Sequence, residues 1–91
     1  MTFPAYDDAL DDPALGRLAR RVYRLAVTAL DLQRFAPLEL HWLAHRTGAD
    51  QAHLSRARSL LVERGYLQRG KRDGHRATYR LCYRRLRETA R

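Results

Sequence analysis

The chain has little cysteine, little lysine and no long apolar run. Its one cysteine, Cys82, cannot form a disulfide within the chain, and no charged-then-apolar leader opens the sequence, so we expect a reducing cytosol. The longest apolar stretch without a charge, residues 25–30, is far short of the about 20 residues of a membrane span. We find no nucleophile–base pair, glycine-rich phosphate loop or metal motif. We therefore expect neither catalysis nor a cofactor.

The length and the charge limit the kind of site that the chain can carry. Its 91 residues suffice for one domain with a modest three-helix core, but not for an additional buried catalytic cleft. The net charge is +8, and residues 1–12 hold four acidic and no basic residues, which leaves +12 on the remainder. Such a surface attracts polyanions. Seventeen of the 18 basic residues are arginine, which suits bidentate contacts to phosphate or guanine, although a GC-rich coding bias accounts equally well for that ratio.

The beginning of the chain predicts an acidic arm and a long helix. Residues 1–12 form the arm, which could pack its aromatic side chains on the body, reach a partner subunit or stay mobile. Asp12 followed by Pro13 favours the start of the first helix. Tyr23 could lie at the core edge or in a dimer contact. Apolar residues at spacings of three and four form one stripe along this helix: Leu15, Leu18, Val22, Leu25, Ala26, Ala29 and Leu30.

Four arginines lie off that stripe: Arg17, Arg20, Arg21 and Arg24. They fit either an ordinary solvated helix face or a second phosphate-contacting surface.

Residues 31–37 are too short for another helix, and Pro37 disfavours a helical Ala36 before it. This segment is expected to supply a short edge strand, with Phe35 anchored in the core beneath the sheet.

The stretch 40–67 indicates two helices joined by a sharp turn. The first runs from about residue 38 or 39 to 46 and stops near Gly48, which can take the left-handed conformation common at helix ends. Asp50 then caps a helix over residues 51–64, whose apolar face is formed by Leu54, Ala57 and Leu61.

A hairpin and a basic tail follow. The pattern predicts strands at residues 66–69 and 77–83, joined by a glycine-bounded polar loop at 70–75. Residues 84–91 are expected to be a frayed helical turn or a disordered basic end.

The run LAHRTGADQAHLSRARSLLVERGYL, in this order of elements, resembles the winged helix-turn-helix DNA-binding domains over roughly residues 13–83. MarR-type regulators and the N-terminal domains of phage and plasmid replication initiators share this pattern. Positions typical of it are filled by Leu43-Ala44, Gly48, Asp50, Leu54, Ala57, Leu61, Glu63-Arg64, Gly65 and Tyr66-Leu67. The resemblance implies a fold that is mostly α with a small β-hairpin (α+β), a three-helix core plus a wing.

Two residues depart from this pattern. Arg58 stands where the family usually has a buried leucine. Burying its guanidinium without a partner would reduce stability by roughly several kcal/mol. We expect either that Arg58 reaches solvent while Leu60 turns inward, or that it pairs with Asp31 or Glu63. Trp42 replaces a usually polar residue, which implies an enlarged core or a partner surface.

The resemblance implies sequence-specific binding of double-stranded DNA, with the second helix of the pair in the major groove. Arg56 would read guanine, and Gln51 would read adenine or bond a phosphate. The wing would contact backbone phosphates or the minor groove. Both surfaces could instead be ordinary solvated faces. The expected DNA-binding residues are Gln51, Ala52, His53, Ser55, Arg56 and Ser59 on the helix, and Arg69, Lys71, Arg72, His75 and Arg76 on the wing.

Several functions remain open at this stage. We expect a cytoplasmic, nucleoid-associated transcriptional regulator that dimerises through its first helix and its arm. The alternatives are a replication-initiator protein, a module that binds a second protein, and an RNA-binding domain. A metal site at His41, His45 and His53, or a redox role for Cys82, is a much weaker hypothesis.

Overall fold

The structure is a computed structural model that describes residues 9–82. After a helical segment at residues 9–11, the described elements are helix α1 (Arg17–Ala29), strand β1 (Ala36–Pro37), helix α2 (Leu40–Thr47), helix α3 (Gln51–Glu63), strand β2 (Leu67–Arg69) and strand β3 (Thr78–Leu81). These elements form a mixed α+β domain, which confirms the expected fold class at that level. Most of the predicted arm and the whole of the predicted tail lie outside the described residues.

Helix α1 begins at Arg17, so the predicted start at Asp12 and Pro13 is wrong. Asp12 accepts a hydrogen bond from the amide of Ala14 at 2.9 Å, within a turn that precedes the helix. Its buried carboxylate also accepts from the hydroxyl of Tyr66 at 2.8 Å and from Nε of Arg64 at 3.1 Å. Asp12 therefore joins two distant parts of the chain, and the N-cap position of α1 falls at Gly16 instead.

The core lies between the three helices and one face of the sheet. Tyr23 is completely buried, and the edge of its ring packs on Tyr66 with ring centroids 5.7 Å apart. It is therefore a core residue of this chain, which settles the choice left open by the sequence. The predicted stripe is rotated, because Ala19 is buried whereas Ala29 is exposed. Full burial of one large apolar side chain in such a core stabilises the fold by about 1.5–3 kcal/mol.

The three strands form an antiparallel sheet in the order β1-β3-β2. Ala36 pairs with Tyr79 and Leu67 pairs with Leu81, so β1 is an edge strand and β2–β3 is a hairpin, as predicted. Within the described part of the chain, no helix is long and apolar enough to cross a membrane.

Phe35 does not enter the core, so that prediction is wrong. Its ring is 39% exposed, and the guanidinium of Arg80 lies 4.6 Å from the ring centre. The ring covers Gly70 so closely that a Cβ atom there would collide with it. Leu38, the next large apolar residue after Phe35, is buried instead.

Candidate nucleic-acid interface

The connection between α2 and α3 depends on a glycine with left-handed backbone geometry. Gly48 has φ of +75°, and its amide donates to the carbonyl of Ala44 at 2.8 Å. The hydroxyl of Thr47 donates to the carbonyl of Leu43 at 2.8 Å, which satisfies another group at this helix end. The predicted role of Gly48 is confirmed, and the turn it permits sets where α3 begins.

Asp50 caps α3, as predicted. Its carboxylate accepts from the amide of His53 at 2.9 Å, and its second oxygen lies 2.6 Å from Nδ1 of the same residue. Two hydrogen bonds lower the pKa of Asp50. The larger effect comes from the His53 amide, and the smaller one from its imidazole. His53 is thereby held at the first turn of the helix.

The six residues predicted for DNA contact on α3 lie away from its buried row of Leu54, Ala57 and Leu61. Five are exposed and Ser55 is half-buried. Within residues 9–82, His53 alone among the six has a side-chain hydrogen bond. Short polar side chains and one long Arg56 side chain therefore remain available to a partner. We call this surface the α3 polar face: Gln51, Ala52, His53, Ser55, Arg56 and Ser59.

The hairpin loop, residues 70–77, is tied at both its tip and its base. Asp73 and Arg76 exchange backbone hydrogen bonds of 2.9 and 3.0 Å around Gly74, which has φ of +62°. At the base, the hydroxyl of Thr78 donates to the carbonyl of Lys71 at 2.6 Å. The five residues predicted for the wing are all exposed on or beside this loop: Arg69, Lys71, Arg72, His75 and Arg76.

The basic side chains of this loop differ in whether they already contact an acidic side chain. Arg76 contacts the carboxylates of Glu39 at 3.0 Å and Asp73 at 3.5 Å, whereas Lys71 and Arg72 have no acidic partner within the described residues. Exposed ion pairs such as those of Arg76 contribute only about 0–1 kcal/mol, so a phosphate could replace them. Lys71 and Arg72 carry the freer charge.

Arg58 neither reaches solvent with Leu60 buried in its place nor pairs with an acidic side chain, the two arrangements expected from the sequence. Its Nη1 donates to the carbonyl of Leu38 at 2.6 Å, and its guanidinium lies 4.9 Å from the centre of the buried Tyr79 ring. Neither Asp31 nor Glu63 forms an ion pair with it, and Leu60 is only half-buried. Burial lowers the pKa of Arg58. A backbone carbonyl and an aromatic face thus replace the expected carboxylate.

Arg58 lies on α3 between the buried row and the α3 polar face, beside the hairpin loop. Helical spacing places it between the buried row that contains Leu54 and the exposed side that contains Ser55. It also lines a cleft together with Arg69, Arg72 and Arg76. Arg58 is thus the α3 residue that shares a cleft with the hairpin loop.

Two of the four arginines on α1 donate hydrogen bonds to backbone carbonyls outside the helix, which the sequence did not indicate. Nη2 of Arg21 donates to the carbonyl of Arg46 at 3.1 Å, at the end of α2. Nη2 of Arg20 donates to the carbonyl of Asp12 at 3.0 Å. Arg17 and Arg24 are exposed and stay available to a second surface.

The remaining candidate residues give no further site. Trp42 is half-buried against the core, with the guanidinium of Arg46 5.4 Å from its ring centre. Among residues 9–82, no three metal-ligating side chains lie together. Comparisons of the chain with protein-family models, with curated proteins and with solved structures found no match.

Proposed function

We propose that this chain is a winged helix-turn-helix domain that binds double-stranded DNA. The observation that carries the proposal is the basic hairpin loop, which shares a cleft with Arg58 of α3, one helical turn after Ser55 of the α3 polar face. A glycine turn before a capped helix, followed by a β-hairpin, also supports this fold.

In this proposal α3 enters the major groove. Its short side chains allow close approach, while Arg56 is long enough to form a bidentate contact to guanine, and Gln51 to adenine or a phosphate. Lys71 and Arg72 on the hairpin loop contact backbone phosphates or the adjacent minor groove. The net charge of +8 attracts the duplex at long range.

The biological role that we propose is transcriptional regulation in the cytoplasm, on chromosomal DNA. A single domain of this size buries only about 600–1,000 Å² on DNA, so tight specific binding favours two copies of the chain. A replication-initiator protein would use the same surface with another DNA site.

The direct test is titration of a random-sequence duplex at about 50 and 200 mM salt, since phosphate contacts make affinity depend on salt. Replacing Lys71 and Arg72 together by alanine should weaken binding to all sequences and reduce the salt slope by about 2. Arg34→Ala, at an exposed arginine outside the proposed DNA-binding surfaces, is the charge control. No salt-sensitive binding by the unmodified protein, or an equal loss per charge in the control, would contradict the proposal.

Base reading is tested separately with Arg56→Ala. After selection of a preferred duplex from a random pool, this variant should lose about 1–3 kcal/mol of discrimination at one base pair. Its affinity for random duplexes should fall much less. An unchanged preference would exclude Arg56 from base reading.

A further inference from the structure

A cleft of about 270 Å³ lies between the start of α2 and the hairpin loop. Four arginines line it, and Glu39 is the sole acidic residue among its described lining residues. The cleft is smaller than the roughly 300–1,000 Å³ typical of a whole cofactor or drug-sized ligand. Its size fits a single small group. The arginines come from α3, the end of β2 and the loop: Arg58, Arg69, Arg72 and Arg76.

Three of these guanidinium groups have no counter-charge in the described part of the chain. Arg58 and Arg69 both lie over the ring of Tyr79, at 4.9 and 5.6 Å from its centre. Arg72 is exposed and makes no ion pair there. Glu39 does not neutralise them, because Arg76 binds its carboxylate at 3.0 Å. Like charges therefore converge on one cleft.

The start of α2 adds to this positive potential. Glu39 occupies the N-cap position, but its side chain forms no capping hydrogen bond and contacts Arg76 instead. Leu40 and His41, in the first turn, line the cleft, so the positive end of the α2 dipole lies beside it.

We propose that this cleft binds a phosphate group through Arg58, Arg69 and Arg72, which line it. Planar guanidinium groups match the geometry of phosphate oxygens and bind them bidentately. The phosphate belongs either to a nucleic-acid backbone or to a small phosphorylated molecule. The chemistry is the same for both, so the site does not depend on the proposed function.

The first test is a titration of the amide and arginine Nε–H NMR signals with inorganic phosphate at low ionic strength, with chloride as the comparison anion. Saturable shifts are expected at Leu40, His41 and the cleft arginines. Arg58→Met keeps an unbranched side chain against Tyr79 and removes the charge, and it should weaken phosphate binding by about tenfold. Arg72→Gln, at an exposed site, should weaken it too without risk to folding.

Arg34→Met, at an exposed arginine that does not line the cleft, is the matched control and should leave phosphate binding unchanged. The absence of saturable shifts in the unmodified protein overturns the proposal. Equal affinity in a folded Arg58→Met variant and in the Arg72→Gln variant also overturns it.

Two further titrations identify the source of the phosphate. If a DNA backbone supplies it, Arg58→Met should weaken duplex binding and lower the salt slope by about 1. If a small molecule supplies it, a nucleoside monophosphate should give larger shifts than inorganic phosphate while duplex binding stays unchanged. Failure of the unmodified protein to bind any duplex rejects the proposed function. Whether the cleft binds phosphate is decided by the phosphate titration alone.

Discussion

At the scale of single residues, the structure buries one charged side chain and half-buries another. Asp12 is 3% exposed and has charged and hydroxyl partners, whereas Arg58 has a carbonyl and an aromatic face. The two differ in what they contribute. Asp12 joins the segment before α1 to the end of α3, and Arg58 presents its charge to a cleft.

Replacing Asp12 by asparagine should reduce the free energy of unfolding by about 1–3 kcal/mol, because it leaves the partly buried Arg64 without its carboxylate. Chemical denaturation measures this change. Asp11→Asn removes a neighbouring exposed charge and should have an effect close to zero.

The contribution of Asp12 should also depend on pH. Burial raises its pKa, but the hydrogen bonds from Ala14, Tyr66 and Arg64 together outweigh burial and leave the pKa below the ordinary value of 3.8. The stabilisation is therefore complete above that value and is lost as the pH falls through the lower pKa of the folded state. The stability difference between the unmodified protein and Asp12→Asn should shrink over this range. A difference that stays constant down to the lowest pH would show that the charge of Asp12 is not responsible.

At the scale of elements, α3 is defined by local chemistry at its start. Gly48 permits the turn and Asp50 supplies the cap, and both act within three or four residues. Short-range interactions of this kind are readable from sequence because they do not depend on how the rest of the chain folds. The predicted range of α3, residues 51–64, matches Gln51–Glu63 to one residue.

Asp50→Ala should destabilise the domain, because the amide of His53 loses its acceptor. Asp50→Ser retains a capping oxygen and should recover most of this loss. Thermal unfolding of the three proteins provides the comparison. Equal stability of the alanine and serine variants would mean that the cap contributes little.

Gly70→Ala should also destabilise the domain, by about 1–3 kcal/mol, because a Cβ atom at this position collides with the Phe35 ring and comes within 2.8 Å of Oγ1 of Thr78. The same change in a Phe35→Ala background should cost less, since the ring is gone. A double-mutant cycle measured by denaturation gives this coupling. Additive effects would show that Phe35 does not determine the need for glycine.

At the scale of the whole molecule, charge is distributed very unevenly. Residues 64–91 carry ten basic and two acidic residues, and residues 1–12 are acidic. Within the described range, Arg58, Arg69, Lys71 and Arg72, in the cleft and on the hairpin loop, form no ion pair with an acidic side chain. An uneven distribution of this kind orients the protein as it approaches a polyanion.

If two copies bind each DNA site, the complex with a selected duplex should contain two chains. Light scattering after size-exclusion chromatography measures the mass of that complex. Exposed surface for such a contact remains on α1, near Arg17 and Arg24. One chain per duplex at saturation would rule out the dimer.

The sequence by itself determined the mixed fold, the two helices joined at Gly48 and the hairpin. It also determined most of the exposed positions on α3 and on the hairpin loop. These features depend on periodicity, caps and turns that act over a few residues. Only the tertiary structure decided the places of Arg58, Asp12, Phe35 and Tyr23. Their partners are distant in the chain: Arg58 bonds a carbonyl 20 residues away, and Asp12 bonds a hydroxyl 54 residues away. No local pattern encodes such a contact, because it exists only once the helices and the sheet have packed.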